Sequence, residues 1–172
     1  MQSTSTKMTS ILAAEYSREL EAEARASREC LANVPFDKPD WKPHDRSMPL
    51  GYLSELIADM PRWIQKIIDD GVIDFATYDQ FKAKSVEELT THFDNCVENA
   101  HRSISTLTDE GLEKEFILRN KDQILMTTPV GETISSTINH MVHHRGQLTV
   151  YLRLNGKEVP SIYGPSADTG GF

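Results

Sequence analysis

Apolar residues recur at spacings of three and four in four separate stretches of this sequence, and that period is the signature of amphipathic α-helices. The first stretch runs from about Lys7 to Asn33. Leu12, Tyr16, Leu20 and Ala24 fall every fourth residue, Leu31 follows, and Glu15, Arg18, Glu19, Glu21, Glu23 and Arg25 keep the rest polar. The second starts with Ser47 as N-cap and Pro49 in the first turn, and carries Leu50, Leu53, Ile57, Met60, Ile64 and Ile67. Pro61 predicts a kink within it, and Gly71 closes it as a glycine after a helix end does. The third opens on Ser85-Val86-Glu87-Glu88, a capping box, and continues through Val86, Leu89, Phe93, Cys96, Val97, Ala100, Ile104 and Leu107. The last spans Thr128-Pro129 to Asn155-Gly156 on a stripe of Ile134, Ile138, Met141, Leu148 and Leu152.

The connections agree. Pro35, Pro39 and Pro43 make residues 35–45 an extended link. Residues 108–127 are irregular, with room for a short strand or turn at 116–118 and 124–126, and the tail from Lys157 to Phe172 has no helical period. With no convincing run of strands, the pattern predicts one all-α domain over residues 1–172, a four-helix bundle with an irregular tail at 157–172. The long first link leaves up-down-down-up as plausible as simple up-and-down.

At 172 residues the chain can bury a full core without disulfides. Cys30 and Cys96 lie within helical patterns and read as buried thiols. The polar start, Met1 to Lys7, lacks the apolar core of a signal peptide, and no run approaches the roughly 18–20 apolar residues that span a bilayer. A cytoplasmic protein without a membrane partner is expected. A net charge of −8, with no Lys/Arg stripe, argues against nucleic-acid binding.

The last helix carries the chemistry. His140 and His144 are one turn apart, so both imidazoles leave one face with Cβ atoms roughly 6 Å apart, near enough to reach one metal ion. Gln147 and Tyr151 continue along that side, where they could bond a ligand or a group that itself braces a metal ligand. Histidines on a helix face also serve simply to bond carbonyls or carboxylates. His143 points elsewhere, His44 reads as a solvated loop residue, and His92 and His101 fall off the apolar stripe and read as exposed. Glu55 and Asp59 would complete a site or face solvent, with solvent the simpler reading. No phosphate loop, nucleophile elbow or paired-cysteine motif occurs.

The chain resembles the DinB-like family, the damage-inducible bacterial proteins unrelated to the polymerase that shares the name. The likeness is carried by Trp41-Lys42-Pro43-His44 and Ser47-Met48, by Leu50-Gly51 and Trp63, and above all by Asn139-His140-Met141-Val142-His143-His144-Arg145-Gly146-Gln147-Leu148. Tyr151-Leu152-Arg153 and the tail Val159 to Asp168 extend it. The resemblance implies an up-down-down-up bundle, commonly a homodimer, with a divalent nickel or zinc ion on three histidines. His140 and His144 match two of them; the third falls on Leu56, which binds no metal, and Glu55, Asp59 or His44 are the candidate substitutes. It further implies, for some members, a thiol-dependent transferase in which the metal activates a low-molecular-weight thiol. On that reading Arg145 would steer an anionic substrate, although an inter-helix ion pair is its simpler role.

Two functions follow as expectations. One is a metal-dependent transferase or hydrolase acting on a small electrophile. The other is a non-catalytic dimeric bundle, or a stress-related small-molecule binder that has lost the metal site.

Overall fold

The computed structural model describes residues 9–170; the expected helix start at Lys7 and the end of the tail lie outside them. Eight elements follow in order: α1 (Ile11–Ala32), α2 (Leu50–Asp69), β1 (Val72–Asp74), α3 (Val86–Ser105), α4 (Asp109–Leu112), β2 (Glu115–Asn120), β3 (Gln123–Pro129) and α5 (Val130–Leu154). The four long helices form the core, as the periodicity predicted.

Cross-links between the helices reveal their directions. Ser17 near the start of α1 meets His101 near the end of α3, and Arg28 near the end of α1 meets Asp94 in mid-α3, so these two run antiparallel. Asp59 bonds His92, and Asp69 at the end of α2 accepts from Ser103 near the end of α3, so α2 and α3 run parallel. Tyr151 late in α5 reaches Met48 just before α2, while Trp63 farther along α2 meets His140 earlier in α5, so this pair is antiparallel. Taken together the order is up-down-down-up, with α1 and α2 on a diagonal. The first link crosses that diagonal, which is why it is long.

Local chemistry explains the helix ends. Ser10 caps α1 by accepting from Leu12 N–H, and Ser85 caps α3 by accepting from Glu88 N–H at 3.1 Å. The Glu88 carboxylate reaches back to Lys84 N–H, one residue before the position an ideal capping box uses. At α2 the expected Ser47 cap is replaced. The helix begins at Leu50 with no side-chain cap, and the carbonyls of Trp41 and Pro39 accept from Leu50 and Gly51 N–H at 2.8 Å each. The proline-rich link itself thus satisfies the open donors. A Cβ on Gly51 would stand 3.1 Å from that of Pro39, so any larger residue would press the link outward by a few tenths of an ångström. The helix runs on through Pro61, and Gly71, at φ +68°, ends it in the left-handed conformation that glycine adopts without strain.

The core is built from Leu20, Leu53, Ile57, Phe93, Ile138 and Leu148, each at most 1 % exposed. Leu12, expected on the inner stripe, is exposed; the buried face of α1 turns instead on Ala13, Leu20, Ala24, Ser27 and Leu31. No helix among the described residues is long and apolar enough to cross a membrane.

The strand content exceeds the expectation. The irregular region folds into the hairpin β2–β3, and β1, from the α2–α3 connection, pairs parallel to β2 to give a three-stranded sheet of order β1-β2-β3. Only Ile73 and Phe116 of it are deeply buried, while Ile124, Leu125 and Met126 on the edge strand are exposed. The segment after β1 folds back over α2, placing Phe75 and Tyr78 against Trp63. That cover creates the cavity described next.

Candidate metal centre

The amphipathic register of α5 carries His140 and His144 to the side that meets α2. His144 is buried, at 4 % exposure, while His140 sits at the exposed rim. Their Nε2 atoms are 2.9 Å apart. Gln147 Oε1 lies 2.7 Å from His144 Nδ1, so with that nitrogen donating, the Nε2 lone pair of His144 is aimed at its partner. Trp63 meets the His140 ring at 6.3 Å between centroids. The pair therefore borders α2, with one ring inside and one at the edge.

Burial lowers the pKa of both imidazoles below the usual 6.5, and nearby histidines add to it: His144 and His143 act on His140, and His143 on His144 against the opposing bond from Gln147. Both shifts favour the neutral form a metal ligand requires. A stability consequence follows. In the unfolded chain these groups take up protons as pH drops through about 6.5, before the native protein does, so native stability is complete above that pH and declines as acid moves through the window toward the lowered native values. Thermal melts of metal-free protein between neutral pH and about pH 5 should show this decline, flattened in the His140→Ala/His144→Ala double variant; parallel profiles would contradict it.

Among the described residues, no third ligand joins the pair. Glu55 accepts from Ala83 N–H and pairs with Lys82 at 2.7 Å. His44 is an exposed loop residue whose Nδ1 accepts from Arg46 N–H. Asp59 is engaged elsewhere. Among the described residues, the group of three metal-type side chains includes neither histidine. Tyr151 is buried, stacked edge-on against Trp41, and donates its hydroxyl to Met48 C=O at 3.1 Å, so that group ties α5 to the link before α2. His143 is exposed, as expected. Arg145 is 1 % exposed and forms an ion pair with Glu23 at 2.6 Å, the inter-helix role rather than the steering one.

The group that sequence reasoning missed is Asp59, His92 and Cys96, whose ligand atoms all lie within 4.8 Å of one another and could hold a metal ion. Two expectations fail here. Asp59 is not solvated but 5 % exposed, and His92 is not exposed but half-buried, its ring stacked on Phe81 at 3.6 Å and its Nε2 bonded to Asp59 Oδ1 at 2.8 Å. His101 is likewise half-buried against Ser17. The physical reason is that α3 has two packed flanks: α1 covers one, while α2 and the 75–82 segment cover the other. The available signal was the i, i+4 spacing of His92 and Cys96, the same spacing that drew attention to His140 and His144. Both cysteines are buried thiols as expected, and burial first, then the nearby Asp59 carboxylate, pushes the Cys96 pKa up to about 12.

Asp59 also lines a cavity of about 330 Å³ walled by Tyr52, Trp63, Phe75, Tyr78 and Phe81, with Leu56 among its lining. Trp63 Nε1 is buried there without a hydrogen-bond acceptor, an unusual state for a buried donor.

The sequence model of the DinB family matches residues 1–170. The chain belongs to the DinB family. Protein DinB of Bacillus subtilis is 33 % identical over 88 residues, 50 % of this chain and 49 % of that protein. The uncharacterized protein YrdA of the same organism is 48 % identical over 40 residues, 23 % of this chain and 24 % of that protein. The matched stretches thus span about a quarter to a half of these relatives. The crystal structure of a DinB-like protein, YjoA, from Bacillus subtilis aligns over 86 % of this chain and 97 % of its own, at TM-score 0.68 and 20 % identity. A DinB-like protein from Bacillus cereus aligns over 91 % and 99 %, at TM-score 0.66 and 18 % identity. These structures share the DinB-like fold.

Proposed function

We propose that this DinB-family protein is a metal-dependent enzyme, a thiol-dependent transferase or hydrolase acting on a small electrophile, with a divalent nickel or zinc ion at His140 and His144. What supports this is the convergence of their two Nε2 atoms at 2.9 Å, with His144 braced by Gln147. Two protein ligands leave at least two positions of a tetrahedral ion open, and an ion bound there would supply a coordinated thiolate or hydroxide. The chain's own contribution is orientation. Gln147 holds the His144 ring, α5 spaces the second imidazole, and Trp63 packs edge-on against the His140 ring from α2.

The test is calorimetric titration of untagged, metal-free protein with nickel and zinc. Wild type is expected to bind one ion through the pair, and His140→Ala or His144→Ala to weaken that binding by at least about 10–100-fold. Wild-type binding that neither substitution alters would remove the reading.

A second reading, a non-catalytic small-molecule binder, is favoured by one observation. Aromatic rings of Tyr52, Trp63, Phe75, Tyr78 and Phe81 line the cavity beside Asp59, while among the described residues the histidine pair has no third ligand.

A further inference from the structure

The cluster on the α2–α3 side differs in kind from the histidine pair, because it contains a thiol and a carboxylate. We propose that Asp59, His92 and Cys96 form a second metal site, thiolate-containing and suited to zinc-like ions, at the edge of the aromatic cavity. It does not rest on the reading of His140 and His144.

Geometry carries the argument. His92 and Cys96 lie one turn apart on α3, and Asp59 enters from the parallel α2. Cys96 Sγ is 3.4 Å from His92 Nε2, and Asp59 Oδ1 is 2.8 Å from that same nitrogen. Zinc bond lengths in a tetrahedron imply roughly 3.6 Å for the sulfur–nitrogen edge and roughly 3.3 Å for the nitrogen–oxygen edge. One edge already fits, and the other must open by about half an ångström to admit the ion. A cysteine–histidine–aspartate relay would place one partner on each ring nitrogen. Here both partners crowd a single nitrogen, the arrangement of a convergent ligand set.

The surroundings are those of a braced site. Phe81 lies flat on His92, at 4° between ring planes, and fixes its orientation. Tyr78 donates its hydroxyl to Asp59 Oδ2 at 2.6 Å, which leaves Oδ1 directed at the cluster. Arg62 opposes binding, since its Nε is 3.2 Å from Oδ1. It has other acceptors, however, in the Tyr78 hydroxyl and the Asp79 carbonyl, and two anionic ligands outweigh its one positive charge. On binding, the ion replaces the Cys96 thiol proton, which leaves to solvent, and a sulfur–metal bond forms with no change in oxidation state. Three protein ligands leave a fourth position of the tetrahedron open, as catalytic rather than structural zinc sites do. Asp59 and Phe81 both line the cavity, so a small ligand held there would have access to it.

Cobalt(II) is the probe that separates the two sites. Titrated into untagged, metal-free wild type, it is expected to give the near-ultraviolet thiolate-to-cobalt charge-transfer band. Cys96→Ser should abolish the band and His92→Ala should weaken it, while Cys30→Ser and the His140→Ala/His144→Ala double variant retain it. A wild type that binds cobalt without that band overturns the proposal while leaving the histidine-pair reading intact. A band lost in Cys30→Ser overturns it as well. A band untouched in the double variant, with no other bound ion, supports it and counts against the histidine pair. Should Cys96→Ser fail to fold, X-ray absorption on zinc-loaded Cys30→Ser decides: a sulfur neighbour at about 2.3 Å supports the site, and a shell of only nitrogen and oxygen refutes it.

Discussion

Arg145→Ala is expected to lower stability by about 3–5 kcal/mol, among the largest losses any single substitution here would cause. Arg145 is almost fully enclosed between α1, α5 and the tail. Its guanidinium pairs with the Glu23 carboxylate, donates to the Glu23 carbonyl at 3.0 Å, and donates to the Tyr163 hydroxyl at 2.9 Å. Tyr163 in turn donates to Glu23 at 2.8 Å, closing the triangle. Truncation removes one partner of a buried ion pair, strands Glu23, which is 13 % exposed at the side chain, and leaves a void. For a chain of this length each kcal/mol moves the melting temperature by about 2–4 °C, so a drop of about 6–20 °C is expected by calorimetry. Arg18→Ala supplies the contrast, because its pair with Glu15 is more than half exposed on both sides and contributes little. Equal effects from the two substitutions would refute the argument. This triangle also explains the tail, since Tyr163 fastens it across α1 and α5 while Asp168, paired with Arg153 at 2.6 Å, fastens it to the end of α5.

Leu56→His is expected to raise nickel or zinc affinity about 100-fold. Four-ligand zinc sites reach roughly 10–16 kcal/mol, so one added imidazole is worth on the order of 3 kcal/mol. The placement follows from the antiparallel packing of α2 on α5. Trp63 stands beside His140, and Met48 stands beside Tyr151. Interpolating between them sets Leu56 level with the stretch around His144. Leu56 and Trp63 are also seven residues apart, two helical turns, and so share one face of α2. Titration of the variant beside wild type checks the gain. A gain from a wild type that binds no ion favours the metal-free small-molecule reading. An unchanged affinity would mean that position 56 does not reach the pair.

The long helices were legible because their signal is local. A period of three to four survives whatever packs against it, and Ser85 and Gly71 act through their own backbone neighbourhoods. The His140–His144 pair was legible for the same reason. Glycine at position 51 and the missing Ser47 cap were not, because both depend on where Pro39 and Trp41 return in space. The strand β1 escaped notice because three residues carry no period, and its partner β2 lies more than forty residues away in the chain.

The four long helices, their approximate ends and the one-turn spacing of the histidine pair on the last helix were therefore properties of the sequence itself. Tertiary structure alone decided which polar residues left water. Asp59 and His92 look like surface positions on their own helices, yet Asp59 becomes buried and His92 half-buried because α2 and α3 run side by side with the 75–82 segment folded over them. A residue's burial is set by the neighbour that covers it, and that neighbour is distant in sequence. For this reason a three-residue cluster from two helices, with a carboxylate, an imidazole and a thiol within 4.8 Å, came into view only once the chain was folded.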